Sequence, residues 1–316
     1  MQLEIRSLAL DDAPAVAALI AARDAADLDQ HDPDFTAEEL RDWWASRRQG
    51  LNGGAWIALD GDSAVGFAKL HVEGDCAELE DDSCVHPDWR GRGIGTRLIE
   101  ELEQWAVRNG SARVRAGVLN DDGRALLEGR GYELVRHFWR MEIDHTAEPA
   151  PPATVEGVEL RPYLPGVDDR ALHTAVQEAF EDHWNQTPEP FEDWLRRRTT
   201  RGDHDPALWL LGEAEGQIAG AALAFGSRNF GWVLDLGVRR PWRSRGLGHA
   251  LLVGVFGELY RRGFTRVGLE VDAASETGAT RLYERAGMRV TRQYDWYERR
   301  LCSQSSASCS RKKRAT

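Results

Sequence analysis

The segments "VHPDWRGRGIGTRLI" (residues 85–99) and "VRRPWRSRGLGHALL" (residues 238–252) align without a gap at an offset of 153 residues. Val85, Trp89, Arg90, Arg92, Gly93, Gly95 and Leu98 meet Val238, Trp242, Arg243, Arg245, Gly246, Gly248 and Leu251. Such a repeat constrains the fold more than composition does. It asks for two copies of one architecture, and 316 residues are enough to give each copy its own core.

The order of elements around the repeat agrees with this. "LEIRSLAL" and "VELRPYL" read as opening strands, and "DDAPAVAALIAARDAA" and "VDDRALHTAVQEAFEDH" as helices with acidic starts. Strands follow: "GAWIALDG" and "AVGFAKLHV" in one half, "ALWLLGEA", "IAGAALAF" and "GWVLDLGV" in the other. After each Arg/Gly turn comes an amphipathic helix, with Ile94, Leu98, Ile99, Leu102 and Trp105 on one face, and Leu247, Leu251, Val255 and Leu259 in the second copy. The strands "RVRAGVL" and "RVGLEVD" come next, still offset by 153. A short helix and two closing strands, within "YELVRHFWRMEID" and "MRVTRQYDWYERRL", end each half. The fold class is α/β, with a mixed sheet of α+β character, built twice. "DHTAEPAPPATVEG" carries three prolines and reads as a stiff linker. The expected domains are therefore 1–145 and 158–301, joined by a linker over 146–157 and followed by a disordered tail over 302–316.

Composition removes several function classes. The net charge is −12, and residues 1–150 hold 30 acidic against 16 basic side chains, so a nucleic-acid partner is not expected. No run approaches the ~18 apolar residues needed to span a bilayer and the N-terminus shows no signal-peptide pattern, so a cytoplasmic protein without a membrane partner is expected. Cys76 and Cys84 read as strand thiols, and nothing near Cys302 and Cys309 positions a metal; none is expected.

A glycine-rich turn that opens a helix leaves backbone N–H groups unpaired, and the helix dipole adds partial positive charge there. Glycines admit a ligand close to the backbone and arginines clasp phosphate with forked hydrogen bonds. The turn therefore reads as a phosphate or diphosphate cradle. A dinucleotide fingerprint would need glycines where Leu98 and Leu251 stand, and a nucleotide P-loop would need G-K-[ST] at the helix start. Neither turn meets either requirement.

Arg90-Gly91-Arg92-Gly93-Ile94-Gly95 and Arg243-Ser244-Arg245-Gly246-Leu247-Gly248 both satisfy [QR]-x-x-G-x-[GA], and each half resembles the GNAT N-acetyltransferases. "TGATRLYERAGM" (residues 277–288) is similar to the family's later segment, in which a helix tyrosine precedes a closing Gly-hydrophobic pair. The resemblance covers nearly the whole chain twice. It implies acetyl-CoA as co-substrate, with the diphosphate on the amides of 243–248 and the pantetheine arm pairing near Val238 like an added strand. In the first half Val85 and residues 90–95 would serve the same ends. Ser275 stands where the family often has a coenzyme-holding asparagine, which weakens one contact.

Direct attack of an amine on a thioester needs a group to take the amine's proton, an N–H donor for the oxyanion, and a proton for the thiolate. Tyr283, four residues before Gly287, matches the family's general acid. Asp235 and Glu270, on the strands flanking the expected gap, are the candidate bases, and the backbone of 236–238 is the candidate oxyanion donor. Counting back four residues from Gly131 gives Leu127, so the first domain is expected to be weakly catalytic or non-catalytic. The acceptor is expected at "AFEDHWNQTPEPFEDW", with Glu181, Asp182 and Trp184 suited to a cationic amine; the acidic, aromatic "DLDQHDPDFTAEELRDWW" is its first-half counterpart. His183 reads as a structural or surface histidine. The expected reaction is acetyl transfer to a primary amine of a small molecule, with a protein or peptide amine, or a non-catalytic acyl-CoA-binding module, as alternatives. An intramolecular pseudo-dimer of the two halves is compatible with the repeat.

Overall fold

The computed structural model describes residues 3–301 apart from 29–35, 47–50, 52–53, 81, 185, 201–203, 228–229 and 276. The tail over 302–316, with Cys302 and Cys309, lies outside the described residues, as does part of the acidic stretch after the first helix.

In chain order the first half forms β1 (Leu3–Ser7), α1 (Ala13–Leu28), α2 (Ala37–Ser46), β2 (Ala55–Asp60), β3 (Ser63–Glu73), β4 (Cys76–Leu79), β5 (Cys84–Val85), α3 (Ile94–Arg108), β6 (Arg113–Val118), α4 (Asp121–Gly129) and β7 (Glu133–Asp144). The second half forms β8 (Glu159–Pro162), α5 (Asp169–Phe180), α6 (Phe191–Thr199), β9 (Trp209–Ala214), β10 (Gln217–Ser227), β11 (Phe230–Val238), α7 (Leu247–Arg261), β12 (Arg266–Asp272), α8 (Ala279–Arg285) and β13 (Arg289–Arg300). Helices α2 and α6 occupy the segments read from sequence only as acidic and aromatic stretches. Each closing region is one long strand rather than two.

Two compact units result, and they are not the two halves of the sequence. One gathers the residues up to Arg136 with those from Tyr294 on; the other is His137–Gln293. The expectation that each closing strand completes its own half is therefore corrected. In the first unit, β6 pairs antiparallel with the end of β13, from Asp295↔Val118 to Arg300↔Arg113. In the second, β12 pairs antiparallel with β7, from Arg266↔Asp144 to Asp272↔Phe138. Side chains explain the exchange. Tyr297 is buried in the first unit's apolar cluster with Leu102, Val114 and Leu127, and Met141 is buried in the second unit's cluster with Leu251, Phe256 and Leu269. Asp295 accepts from Arg124 at 3.0 Å, and Tyr297 donates to Glu128 at 2.9 Å, which ties β13 to α4 in the first unit.

The amphipathic faces bury as their periodicity predicts. Ile94, Leu98, Ile99, Leu102 and Ala106 of α3 are buried in the first unit, while Trp105 is partly buried and meets Trp56 edge-on at 6.5 Å. In α7 the buried face is wider, adding Ala250, Leu252, Phe256 and Gly257 to the expected residues. A second apolar cluster in the first unit joins Val16, Leu19 and Ile20 of α1 and Leu40 and Trp44 of α2 to Ile57 and Phe67. In the second unit β11 pairs antiparallel with β10 along its length, but parallel with β12 only from Phe230↔Arg266 to Trp232↔Gly268. Leu234 is an extra residue between the partners of Leu223 and Ala224, a bulge that bends β11. Past Trp232 the two parallel strands part, and that gap positions everything below.

Candidate active site

Each Arg/Gly turn takes the same backbone path. Gly91 and Gly93 have φ of 71° and 79°, and Ser244 and Gly246 have φ of 62° and 87°. A non-glycine residue in this left-handed region is uncommon, so Ser244 is held there by its surroundings. Alternation of this kind turns successive N–H groups inward into an anion-binding concavity. Among the described residues, the amides of 244–249 find no backbone or side-chain acceptor until Ala250 donates to Gly246 O at 3.0 Å. In the first unit the amides of 91–96 are likewise unpaired until Arg97 donates to Gly93 O at 3.1 Å. Unpaired amides at two helix starts, with the helix dipoles behind them, suit an anion. Gly248 has a different reason. A side chain there would meet Leu282 Cδ1 at 2.8 Å, and one on Gly95 would meet Leu126 Cδ2 at 3.0 Å. These glycines let α7 and α3 lie close to α8 and α4, which brings Leu282 and its neighbour Tyr283 up to the turn.

The arginines divide the labour differently from the sequence expectation. The Arg243 guanidinium is engaged by the protein itself. Its Nε donates to Val238 O at 2.9 Å, one Nη to Ala179 O at 3.0 Å and the other to Asp182 at 3.0 Å, which laces the strand end to the end of α5. Its amide donates to Arg240 O at 3.2 Å. Arg90 is tied in the same way, forked onto Asp27 of α1 at 2.8 and 2.7 Å. Arg245 is exposed and has no partner among the described residues. Arg92 donates to Asp88 O at 2.9 Å and lies over the Trp89 ring at 4.6 Å.

A cavity of about 590 Å³ opens from the first unit's turn, lined by Gly91, Gly93, Thr96, Leu79, Cys84 and Asn120 among others. Asn120 also caps α4 by accepting from Gly123 N at 2.9 Å, and donates to Asp27 at 2.9 Å. Sequence reading missed Asn120 and Asp27, which no motif marks. Burial pushes the Cys84 thiol up to about 12 and the Cys76 thiol up to about 11, which leaves both as inert thiols. The first unit also holds Lys69 and Glu80 as a buried ion pair at 2.6 Å.

In the second unit the three candidate catalytic side chains are placed very differently. Tyr283 of α8 is buried, and desolvation pushes its phenol up to about 12. Among the described residues its hydroxyl has no hydrogen-bond partner, so at neutral pH it carries a proton it can give. Asp235 is held by an arginine. Its Oδ2 lies 2.9 Å from both Nε and one Nη of Arg198, whose guanidinium rests on Trp194 at 4.7 Å. The aspartate anchors α6, a partner invisible to sequence reading because it lies 37 residues away. Glu270 sits two residues past the last β11–β12 pair, and its side chain reaches open space. Protein nevertheless crowds it closely enough that desolvation raises its carboxyl above the ordinary range, with Arg140 and Arg292 pulling the other way.

The expected acceptor residues also separate. Asp182 is fastened to Arg240 and Arg243, whose hydrogen bonds hold its carboxyl down to about 2, and Glu181 lies 3.1 Å from Arg240. Both acids face the turn's own arginines rather than the gap. Trp184 stands against Phe138 with ring centroids 6.1 Å apart, an aromatic wall whose second member comes from β7. His183 stacks on Phe180 at 4.4 Å, and surrounding protein lowers its imidazole pKa. Ser275 hydrogen-bonds Thr277 at 2.8 Å and donates its amide to Asp272 O at 3.0 Å, within the loop before α8. Among the described residues no group of three or more His, Cys, Asp or Glu side chains could hold a metal ion, and no helix is long and apolar enough to cross a membrane.

Parted parallel strands beside a helix start with unpaired amides offer an open strand edge and an anion site to one extended ligand. The chain belongs to the acetyltransferase (GNAT) family, whose model matches residues 19–132 and 170–288, and its reaction is acetyl-CoA-dependent acyl transfer. It is similar to the mycothiol acetyltransferase of Thermobispora bispora, 36% identical over 254 residues covering 77% of this chain and 83% of that one. That of Salinispora arenicola is 34% identical over 286 residues, covering 87% and 90%. The crystal structure of a GCN5-related N-acetyltransferase from Sphaerobacter thermophilus superposes with a TM-score of 0.80 at 36% identity, over 94% of this chain and 95% of that one. A tandem GNAT protein from the clavulanic acid biosynthesis pathway shares the fold, with a TM-score of 0.73 at 17% identity over 95% and 98%.

Proposed function

We propose that the protein transfers an acetyl group to a primary amine on a small molecule by direct attack in a ternary complex, and that the second unit carries the reaction. Acetyl-CoA supplies the activated thioester; the protein's own groups do the rest. The amides of 244–249 with Arg245 hold the diphosphate, and the free edge of β11 beyond Trp232 holds the pantetheine arm. An entering ammonium, with pKa near 10, has no lone pair until it loses a proton. Glu270 accepts that proton in this reading, and its raised carboxyl is the better matched base for it. The amides of 236–238 are proposed to face the thioester oxygen. Tyr283 gives a proton to the departing sulfur, and Trp184 with Phe138 walls the acceptor.

The observation that carries this reading is the pairing of a proton-bearing Tyr283 and an uncommitted Glu270 in one unit. In the other unit Leu127 takes the tyrosine's place, and Gly117 matches Glu270 at the 153-residue offset. The first unit is therefore proposed to hold coenzyme without turnover. The relatives named mycothiol acetyltransferase make amines of mycothiol assembly the first acceptors to try. Thiol release from acetyl-CoA, measured across small amines and lysine peptides, tests the proposal. Turnover with a small amine and not with peptides is expected. Preference for peptide amines would replace the acceptor class, and coenzyme binding without turnover on any amine would mark a non-catalytic acyl-CoA module.

A further inference from the structure

The second unit's Glu270 does not stand alone, and its neighbour comes from the other half of the sequence. In the β12–β7 pairing Glu270 lies directly opposite Arg140. Arg140 is fixed on three sides: its Nε donates to Glu142 at 2.6 Å, and its guanidinium lies 5.0 Å from the Phe230 ring and 5.1 Å from Trp232. Glu142 is buried and also held by Arg266 at 2.6 Å, so it stays paired whatever happens to Arg140. From β13 comes Arg292, whose Nη1 is buried without a hydrogen-bond partner among the described residues. The other charged groups on this side are accounted for. Asp235 belongs to Arg198, Glu142 to its two arginines, and Asp272, two residues along β12, accepts from Ala274 N at 2.9 Å. His183 stands at the end of the gap and feels Asp272 and Asp235.

Resting on the assignment of Glu270 as proton acceptor, we propose that Arg140, brought by the closing strand of the first half, is a positioning residue that holds the Glu270 carboxylate charged and ready for the amine's proton. Crowding by the surrounding protein favours the neutral acid, and a neutral acid has nowhere to put that proton. Arg140 and Arg292 oppose that desolvation by favouring the anion. The sign follows. Without Arg140 the carboxyl rises further, so the acidic limb of kcat/KM moves to higher pH and activity at pH 7 falls. The exchange of closing strands thereby makes the second unit's site depend on residues 137–144.

The test is a carbon-13 carboxyl NMR titration of the ligand-free full chain, with Glu270→Gln used to identify the resonance, run beside the pH profile of kcat/KM. Arg140→Met should raise the Glu270 midpoint by about one pH unit or more and move the acidic limb with it. Arg292→Met should act in the same direction, and it guards against a fold defect peculiar to position 140. Arg140→Lys, which keeps the charge, should leave the midpoint close to the parent's. An unchanged midpoint in both Arg→Met variants overturns the proposal. If the midpoint moves but Glu270→Gln leaves the acidic limb in place, Glu270 is not the proton acceptor, and the use proposed for Arg140 falls with that assignment.

Discussion

Replacing Tyr283 by phenylalanine removes one oxygen and little else. The ring is 7% exposed and packed in the second unit's core, and among the described residues the hydroxyl has no protein partner to orphan. Stability should therefore change by less than ~1 kcal/mol, the usual worth of one hydrogen bond. Catalysis should change far more. A coenzyme thiolate with pKa near 8.5 leaves poorly without a proton, and a phenol held at about 12 is almost wholly protonated at pH 7 to supply it. Loss of a positioned general acid is worth at least tenfold in kcat, about 1.4 kcal/mol or more of barrier. Thiol release gives kcat, and calorimetric titration gives acetyl-CoA affinity, which should stay within about twofold. Turnover equal to the parent protein's would refute the assignment. So would a large fall in melting temperature, because it would make the residue structural.

Glu270→Gln should abolish the acidic limb of kcat/KM and lower kcat by roughly a hundredfold, with unchanged coenzyme affinity; a surviving limb would show that another group takes the proton. Gly246→Ala meets open space, but its φ of 87° makes any side chain strained, so stability should fall by ~1–2 kcal/mol in urea unfolding and coenzyme binding should weaken with it. Asp168 is buried and forked by Arg161 at 2.8 and 2.9 Å, which holds its carboxyl below its unfolded value. Its contribution is therefore complete above its unfolded pKa and is lost as pH falls from there through the depressed folded value. Asp168→Asn should be less stable than the parent at pH 7, and the difference in thermal midpoint should shrink on acidification. A constant difference would contradict the linkage.

The parts of this site legible in sequence are those written in local spacing. The left-handed glycines and the amphipathic helices behind them lie within one strand–turn–helix repeat, and the tyrosine is marked by its four-residue spacing from Gly287. What could not be read there depends on partners far along the chain. Asp235 looks as good a base as Glu270 until Arg198 closes on it, and Asp182 looks like an acceptor contact until Arg240 and Arg243 take it. Arg243 looks like a phosphate clasp until Val238 O, Ala179 O and Asp182 engage its whole guanidinium. The exchanged closing strands were hidden more deeply. "YELVRHFWRMEID" and "MRVTRQYDWYERRL" have matching patterns, so either fits either sheet by alternation alone. Buried side chains such as Met141 and Tyr297 settle which sheet each completes.

The most direct measurement is isothermal titration of coenzyme A into the parent chain and into a chain with Gly93 and Gly246 both changed to valine. If the unpaired amides of the two turns grip the diphosphate, the parent should show saturable heat that inorganic pyrophosphate competes away, and the double variant should lose it. No heat from the parent at millimolar coenzyme, or equal binding by both proteins, would contradict the cradle on which the reaction proposed above depends.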